Sequence, residues 1–249
     1  MAETASFEPG GYRYIRGQFQ YSGGVAAAAG FVIERASSAR PLPMEQGFRA
    51  IEAHLEAVGR PTTSFCACEL RSPEPFTAEG FVAFNRVYVG TLERWGIFHE
   101  DENPVARSNV CPEIEPPPEP CFAAFCYTVP ATAGAPNFVV AGSAEASEGT
   151  GSYAGRIVRE GETSPDAIRE KARFVLVAME SRMAALDVGW ADASAVQAYT
   201  VHDPHPFMAD EIVARGAAAK GLTWHYARPP VEALEFEMDV RGVALERML

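Results

Sequence analysis

Between Met44 and Gly59 the apolar residues Phe48, Ile51, Leu55 and Val58 recur at the spacing of one helix face. Glu45, Arg49, Glu52 and Glu56 fall mainly off that face, so the stretch predicts an amphipathic helix, which Gly59 and Pro61 terminate. "TAEGFVAFNRVYVGTLERWG" predicts a second helix, with Phe81, Phe84, Val87 or Tyr88, and Leu92 toward a core. A third runs over 167–186 on Ile168, Ala172, Val175, Met179 and Met183; Ser164 caps it, Pro165 suits its first position and Asp166 its positive end. A shorter helix is expected over 205–219. Strands are expected in "SFCACELR", "ARSNVCPEI", "CFAAFCYTV", "NFVVAGSA" and "ASAVQAYTVHD", with two more about the proline turn of "LTWHYARPPVEALEFEMDVRG". The last alternates, with Leu234, Phe236, Met238 and Val240 on one face and Glu235, Glu237, Asp239 and Arg241 on the other.

The two halves repeat this order of elements, which points to an α+β fold and an internal duplication. "YTVPATAGAPNF" is the natural junction, giving domains at 1–130 and 131–249. Helices on one face of each mixed sheet bury its apolar side. The opposite face then needs a partner sheet or solvent, and uncovered sheets would favour a homo-oligomer, a trimer of two-domain chains, with copies packed within a monomer as the alternative.

Charge narrows the partners. With 33 acidic and 21 basic side chains among 249 residues, a net −12, general nucleic-acid binding and an anionic membrane surface are disfavoured. A small anionic ligand is not, because one arginine in a cleft acts locally against the global field. No run approaches a membrane span, "MAETASFEPGG" does not read as a signal peptide, and five cysteines suggest reduced thiols, so a cytoplasmic location is expected. Cys66 and Cys68 lack histidines at zinc-like spacing, and the glycines of "YSGGVAAAAG" have neither Rossmann nor P-loop spacing; no metal and no cofactor are expected.

"NPVARSNV" then raises a question, because it sets a lone arginine, Arg107, at the head of a strand. A surface salt bridge and a fixed site for an anion are both open readings; a guanidinium suits the second, since its fork matches a carboxylate and keeps its charge when desolvated. Glu235 and Glu237 share a strand face where burial or like charge would raise a carboxyl toward neutrality and suit it to general base work; an exposed acidic stripe is the alternative. Trp224 and Tyr226 offer an aromatic wall for a planar substrate, or simple packing. His202 and His205 beside Asp203 read as a capped turn before a metal or proton site, and Cys111 lies near enough to Arg107 for its thiol to be activated.

"YSGG" (Tyr21–Gly24), "FNRVY" (Phe84–Tyr88) and "ARSNV" (Ala106–Val110) in the first half, with "VAGS" and "YARPPVEALEFEM" in the second, carry a likeness. The chain resembles a tandem member of the YjgF/YER057c/UK114 family, the Rid enamine/imine deaminases. The resemblance implies two tandem chorismate-mutase-like, Rid-like domains, each a mixed sheet with two helices on one face, usually assembled as trimers. It implies a metal-independent hydrolytic deaminase that releases ammonia from an enamine, imine or aminomuconate-like carboxylic acid, in keeping with aromatic-compound catabolism. Position by position, Arg107 matches the carboxylate-binding arginine and Asn85 the asparagine of the second helix. Tyr21, Ser22 and Gly23 match the cleft segment, and Glu235, with Glu237 beside it, the closing-strand glutamate; Trp224 joins them as the aromatic wall. The match departs where the first copy carries Phe122 or Ala123 at the glutamate position and the second Lys220 or Gly221 at the arginine position. Each copy therefore holds part of a site. A non-catalytic small-acid binding or assembly protein and a chorismatase-like enzyme remain the alternatives.

Overall fold

The computed structural model describes residues 2–249 apart from 133, 135, 148, 150–152 and 154. Its described strands, in chain order, are β1 (Thr4–Phe7), β2 (Tyr12–Ile15), β3 (Gly24–Ala27), β4 (Phe31–Pro43), β5 (Phe65–Arg71), β6 (Ala106–Pro112), β7 (Cys121–Pro130), β8 (Phe138–Ala144), β9 (Ala195–Tyr199), β10 (Thr223–His225), β11 (Ala227–Arg228), β12 (Glu237–Gly242) and β13 (Leu245–Met248). Three long helices, α1 (Met44–Ala57), α2 (Ala78–Arg94) and α3 (Pro165–Ala185), form where the apolar stripes lie. Thr77 Oγ1 accepts from the Gly80 amide to start α2, and Ser164 Oγ accepts from Ala167 to start α3, each satisfying an amide that the helix itself leaves unpaired.

Each stripe meets a sheet. Phe48, Ile51 and Leu55 of α1 join Tyr88, Val89 and Leu92 of α2 over Leu70, Phe122, Phe125 and Tyr127. Tyr88, not Val87, faces that core; Val87 is exposed. On the other side of the molecule Ile168, Ala172, Val175, Met179 and Met183 of α3 pack on Phe138, Val140, Phe236, Met238 and Val240. At about 1.5–3 kcal/mol for each large apolar side chain fully removed from water, these two layers dominate the stability of the fold.

The sheets are mixed, with strand orders β1-β2-β3-β8-β12-β9-β10 and β11-β6-β5-β7-β4-β13. Tyr12, Val25 and Ala141 from the first meet Ile33, Cys66, Ala106 and Cys126 from the second in one buried cluster. The result is an α+β fold of four layers, in which the sheets cover each other and helices cover their outer faces. The face that seemed to call for a partner subunit is thus covered within the chain. Strands also cross the 130/131 junction: β3 pairs onto β8, while β11 and β13 pair onto β6 and β4.

Two local expectations need correction. The helix expected over 205–219 is an α turn at His205–Phe207, a π turn at Met208–Ile212 and a 3-10 turn at Val213–Arg215. Its buried anchors Phe207, Ile212 and Ala217 are five residues apart, and the Ala217 amide reaches Ile212 O at 3.2 Å, the wide spacing of a π turn. The closing strand begins at Glu237 rather than at Leu234. The amides of Glu235 and Phe236 donate to the Glu145 carboxylate at 2.7 and 3.0 Å instead of to a neighbouring strand. Glu145 is in turn paired with Lys171 at 3.1 Å, both fully buried, so an ion pair decides where the strand starts.

Candidate active site

Arg107 sits near the start of β6, beside Cys68 of the parallel strand β5. The turn before β3 docks on the same strand end: the Ser22 amide donates to Val105 O, and Ser22 Oγ donates to the carbonyls of Ile15 and Gly24, both at 2.8 Å. That turn brings the Tyr21 ring to 5.1 Å from the Arg107 guanidinium carbon; Tyr88 lies at 4.9 Å, and Phe81 and Phe84 each at 5.6 Å. Arg107 is 2% exposed, and none of its three guanidinium nitrogens has a hydrogen-bond partner among the described residues. Arginine does not shed its proton, and aromatic faces offset only about 0.5–2 kcal/mol each. A buried cation so placed is destabilising until an anion arrives.

Arg107 is among the residues that line a cavity of about 350 Å³. Its apolar wall is Tyr21, Phe81, Tyr153, Val231 and Leu234; its charged lining is Arg16, Arg107, Arg156 and Arg182 against Glu237 as the acid among the described residues. Arg16 is already paired with Glu3 and Glu102, so in a chain with net charge −12 it is Arg107, Arg156 and Arg182 around one void that make the local field favour anions. Arg182, from α3, is held by the Ala141 and Gly142 carbonyls at 3.1 and 3.4 Å.

Glu237 faces this cavity from the first residue of β12 and is 3% exposed. Burial pushes its carboxyl well above the ordinary carboxylate range, the charges of Asp239 and Glu145 push it further, and Arg182 and Arg107 pull it back only in part. Gly142 makes room for it: a Cβ there would stand 2.1 Å from Glu237 Oε1 and 3.2 Å from the Ser108 α-carbon. Asp239 behind it accepts from Gln197 Nε2 and Tyr199 Oη, both at 2.8 Å. The polar face of the closing strand is therefore not an exposed acidic stripe; Glu237, Asp239 and Arg241 all turn inward.

Of the residues anticipated from sequence, Arg107, Glu237, Tyr21 and Gly23 share the cavity. The rest do not line it. Glu235 precedes the strand, so alternation no longer ties it to Glu237. Its carboxylate bonds His202 Nε2 at 2.8 Å and Arg228 Nη1 at 3.4 Å, beside a different surface groove. Asn85 is buried, and its Nδ2 donates to Phe81 O of its own helix at 2.6 Å. Ser22 braces the turn rather than facing the void. Trp224 is 38% exposed and donates to Thr200 O at 2.9 Å, away from the cavity. His205 and Asp203 form the capped turn, with Nδ1 and the amide of His205 both on Asp203 Oδ1. The Cys111 thiol is not activated: burial, with the Glu237, Glu74 and Glu113 charges, pushes it up to about 12. All five cysteines are free and buried. Among the described residues no cluster of three or more His, Cys, Asp or Glu side chains is arranged to hold a metal ion, and no helix is long and apolar enough to cross a membrane.

Sequence reasoning missed Asn109, Gly142 and Arg182. Asn109 was within reach, because it lies two residues beyond Arg107 in a strand and so shares its face. Arg182 carried no signal, being one more polar residue on a helix whose stripe points elsewhere.

With this geometry in view, comparison with known proteins is informative. The family described as 2-aminomuconate deaminase CnbZ matches residues 4–247. A 2-amino-5-chloromuconate deaminase from Comamonas testosteroni is 53% identical over 251 residues, covering 100% of both chains. A chorismatase crystal structure aligns at 11% identity and a TM-score of 0.48 over 89% of this chain and 77% of that one, too slight a likeness to bear on either fold or chemistry. A match across nearly the whole length, with more than half of the aligned positions identical to a relative covered end to end, makes the conclusion plain: the chain belongs to the 2-aminomuconate deaminase CnbZ family.

Proposed function

We propose that this protein is a hydrolytic deaminase that releases ammonia from a 2-aminomuconate-like acid in the cavity between Arg107 and Glu237. The observation that carries the reading is the buried guanidinium without a hydrogen-bonding partner among the described residues, lining the same void as a carboxyl whose pKa burial raises. Arg107 takes the carboxylate beside the amino-bearing carbon, and its rigid fork orients the conjugated plane against Tyr21 and Phe81. Neutral Glu237 gives its proton to the enamine carbon, which turns C–NH2 into an iminium. The resulting carboxylate takes a proton from water as the water oxygen bonds to the iminium carbon. Glu237 then protonates the amine of the carbinolamine and recovers the hydroxyl proton as the C–N bond breaks. The balance is enamine plus water to ketone plus ammonia, with Glu237 returned to its starting state. One group serves in turn as acid and base, which a raised carboxyl pKa favours.

The test is ammonia release from freshly generated 2-aminomuconate, followed with the loss of the conjugated chromophore. Binding without ammonia would favour the small-acid binding protein, and pyruvate from chorismate the chorismatase-like enzyme.

The tandem organisation, residues 1–130 and 131–249 as two Rid-like copies, belongs to the same proposal. Its support is that each half supplies the helices of one outer layer. The homotrimer rests on the family resemblance alone, now that the sheets cover each other, and sedimentation equilibrium tests it.

A further inference from the structure

Beside Arg107 the cavity holds a second donor that the proposed chemistry does not use. Asn109 is 3% exposed, lines the same void, and its Nδ2 has no hydrogen-bond partner among the described residues. Its other amide atom is spoken for: Oδ1 accepts from Ser72 Oγ at 3.0 Å, and Ser72 is itself fully buried with its amide on Val110 O. The amide plane is therefore fixed with the NH2 group turned away from Ser72. A buried amide donor without an acceptor is destabilising, as a buried cation without an anion is. Both lie on β6, two residues apart.

That spacing has a chemical meaning. Alternate residues of a strand stand on one face about 6.5–7 Å apart, of the order of the span between the carboxyl carbons of an extended six-carbon diacid. Ser108 lies midway between them, and its α-carbon and Glu237 Oε1 both crowd the same point over Gly142. Glu237 thus approaches the β6 backbone at the residue between the two donors.

We infer that Arg107 and Asn109 form the two ends of a clamp for a linear dicarboxylate. Arg107 holds the carboxylate next to the reacting carbon, and the Asn109 amide, oriented by Ser72, donates to the distal carboxylate. Asn109 is then the residue that distinguishes a diacid from a monoacid of the same length. This rests on the deaminase reading for the order of the two ends, but not for the clamp itself.

Binding without turnover separates the two. Muconate and its monoacid counterpart 2,4-hexadienoate are titrated by calorimetry into the intact protein and into Asn109→Ala and Asn109→Asp, each checked for folding by thermal melting. The intact protein should bind muconate at least about tenfold more tightly than the monoacid, the scale of one hydrogen bond to a charged group. Asn109→Ala should remove most of that preference while leaving monoacid affinity within about twofold. Asn109→Asp, which keeps the side-chain shape, should weaken muconate further by repulsion, and it serves as the readout if the alanine variant does not fold. Ser72→Ala should give an intermediate loss confined to muconate. Equal weakening of both ligands, or no change in either, overturns the clamp. A muconate preference that depends on Asn109 in a protein that releases no ammonia upholds the clamp and overturns the deaminase reading.

Discussion

Two guanidinium groups in the six-stranded sheet, Arg107 buried and Arg35 with its side chain 13% exposed, have opposite surroundings. Arg35, on β4, donates to both oxygens of Glu69 at 2.7 and 3.0 Å and reaches Glu246 at 3.2 Å, while Arg241 from the other sheet approaches Glu69 at 3.7 Å. Arg107, on β6, meets four aromatic rings and no acceptor among the described residues. The first arrangement satisfies its charges and locks two sheets and the C-terminal strand together. The second leaves a charge unsatisfied beside a void. Burial alone therefore does not mark a functional arginine; burial without a partner does, because a stable fold has no other use for it.

The acids show the same contrast. Burial pushes the Glu69 carboxyl up, but its bonds to Arg35 and the charges of Arg35, Arg241 and Arg71 win and hold it at about 2. Glu237 goes the other way: burial raises its pKa, and the Asp239 and Glu145 charges outweigh those of Arg182 and Arg107. One environment favours the charged carboxyl, the other the protonated one.

The largest test of this contrast is Glu237→Gln. Turnover of 2-aminomuconate should fall by about 10²–10⁴-fold, the usual contribution of a positioned acid–base group. Wild-type turnover should decline as pH rises through the raised Glu237 pKa. The same shift has a stability sign: the folded state holds a proton that the unfolded state has released, so stability falls as pH climbs from the ordinary value of 4.5 through the raised one. Glu237→Gln should therefore melt higher than wild type at neutral pH, with the gap closing near pH 4.5.

Next comes Arg107→Met, with a loss of about 10²-fold or more in kcat/KM. Its melting temperature should be unchanged or raised, because an unsatisfied buried charge has been removed. A marked fall would mean that Arg107 holds the fold together and would end the contrast with Arg35. The same exchange at the other site, Arg35→Met, should leave kcat near wild type and destabilise by about 2–3 kcal/mol in denaturant titrations, because Glu69 loses its bidentate partner and retains only weaker ones.

A smaller effect is an acid limb. Glu69 contributes stability above its unfolded pKa of 4.5, and that contribution drains as pH falls toward about 2; the limb should be missing in Glu69→Gln. Smallest of all is Glu235→Gln. Its partners His202 and Arg228 are partly exposed, so kcat/KM should stay within about threefold and stability within about 1 kcal/mol. A large kinetic loss there would return Glu235 to the site and weaken the assignment to Glu237.

The helices and most strands were legible because their evidence is local. The stripe of α3, its Ser164 cap and the alternation from Phe236 to Val240 each lie within one segment and reflect a single buried face. Arg107 was legible as an arginine out of place in a strand. Glu235 and Glu237 could not be told apart, since the choice depends on Glu145, some ninety residues away, taking two amides that a strand would otherwise use. Likewise Trp224 resembled a wall of the site until β10 paired beside β9 and carried it elsewhere.

By itself, then, the chain's pattern determined most of the helices and strands, that one arginine stands out of place at the head of a strand, and the family to which both halves point. Only the tertiary structure decided which acid faces that arginine, that Asn109 stands beside it unsatisfied, and that the two sheets cover each other. The reason is physical: periodicity records whether a residue is buried, whereas partnership across sheets depends on which distant strand supplies the opposite atom.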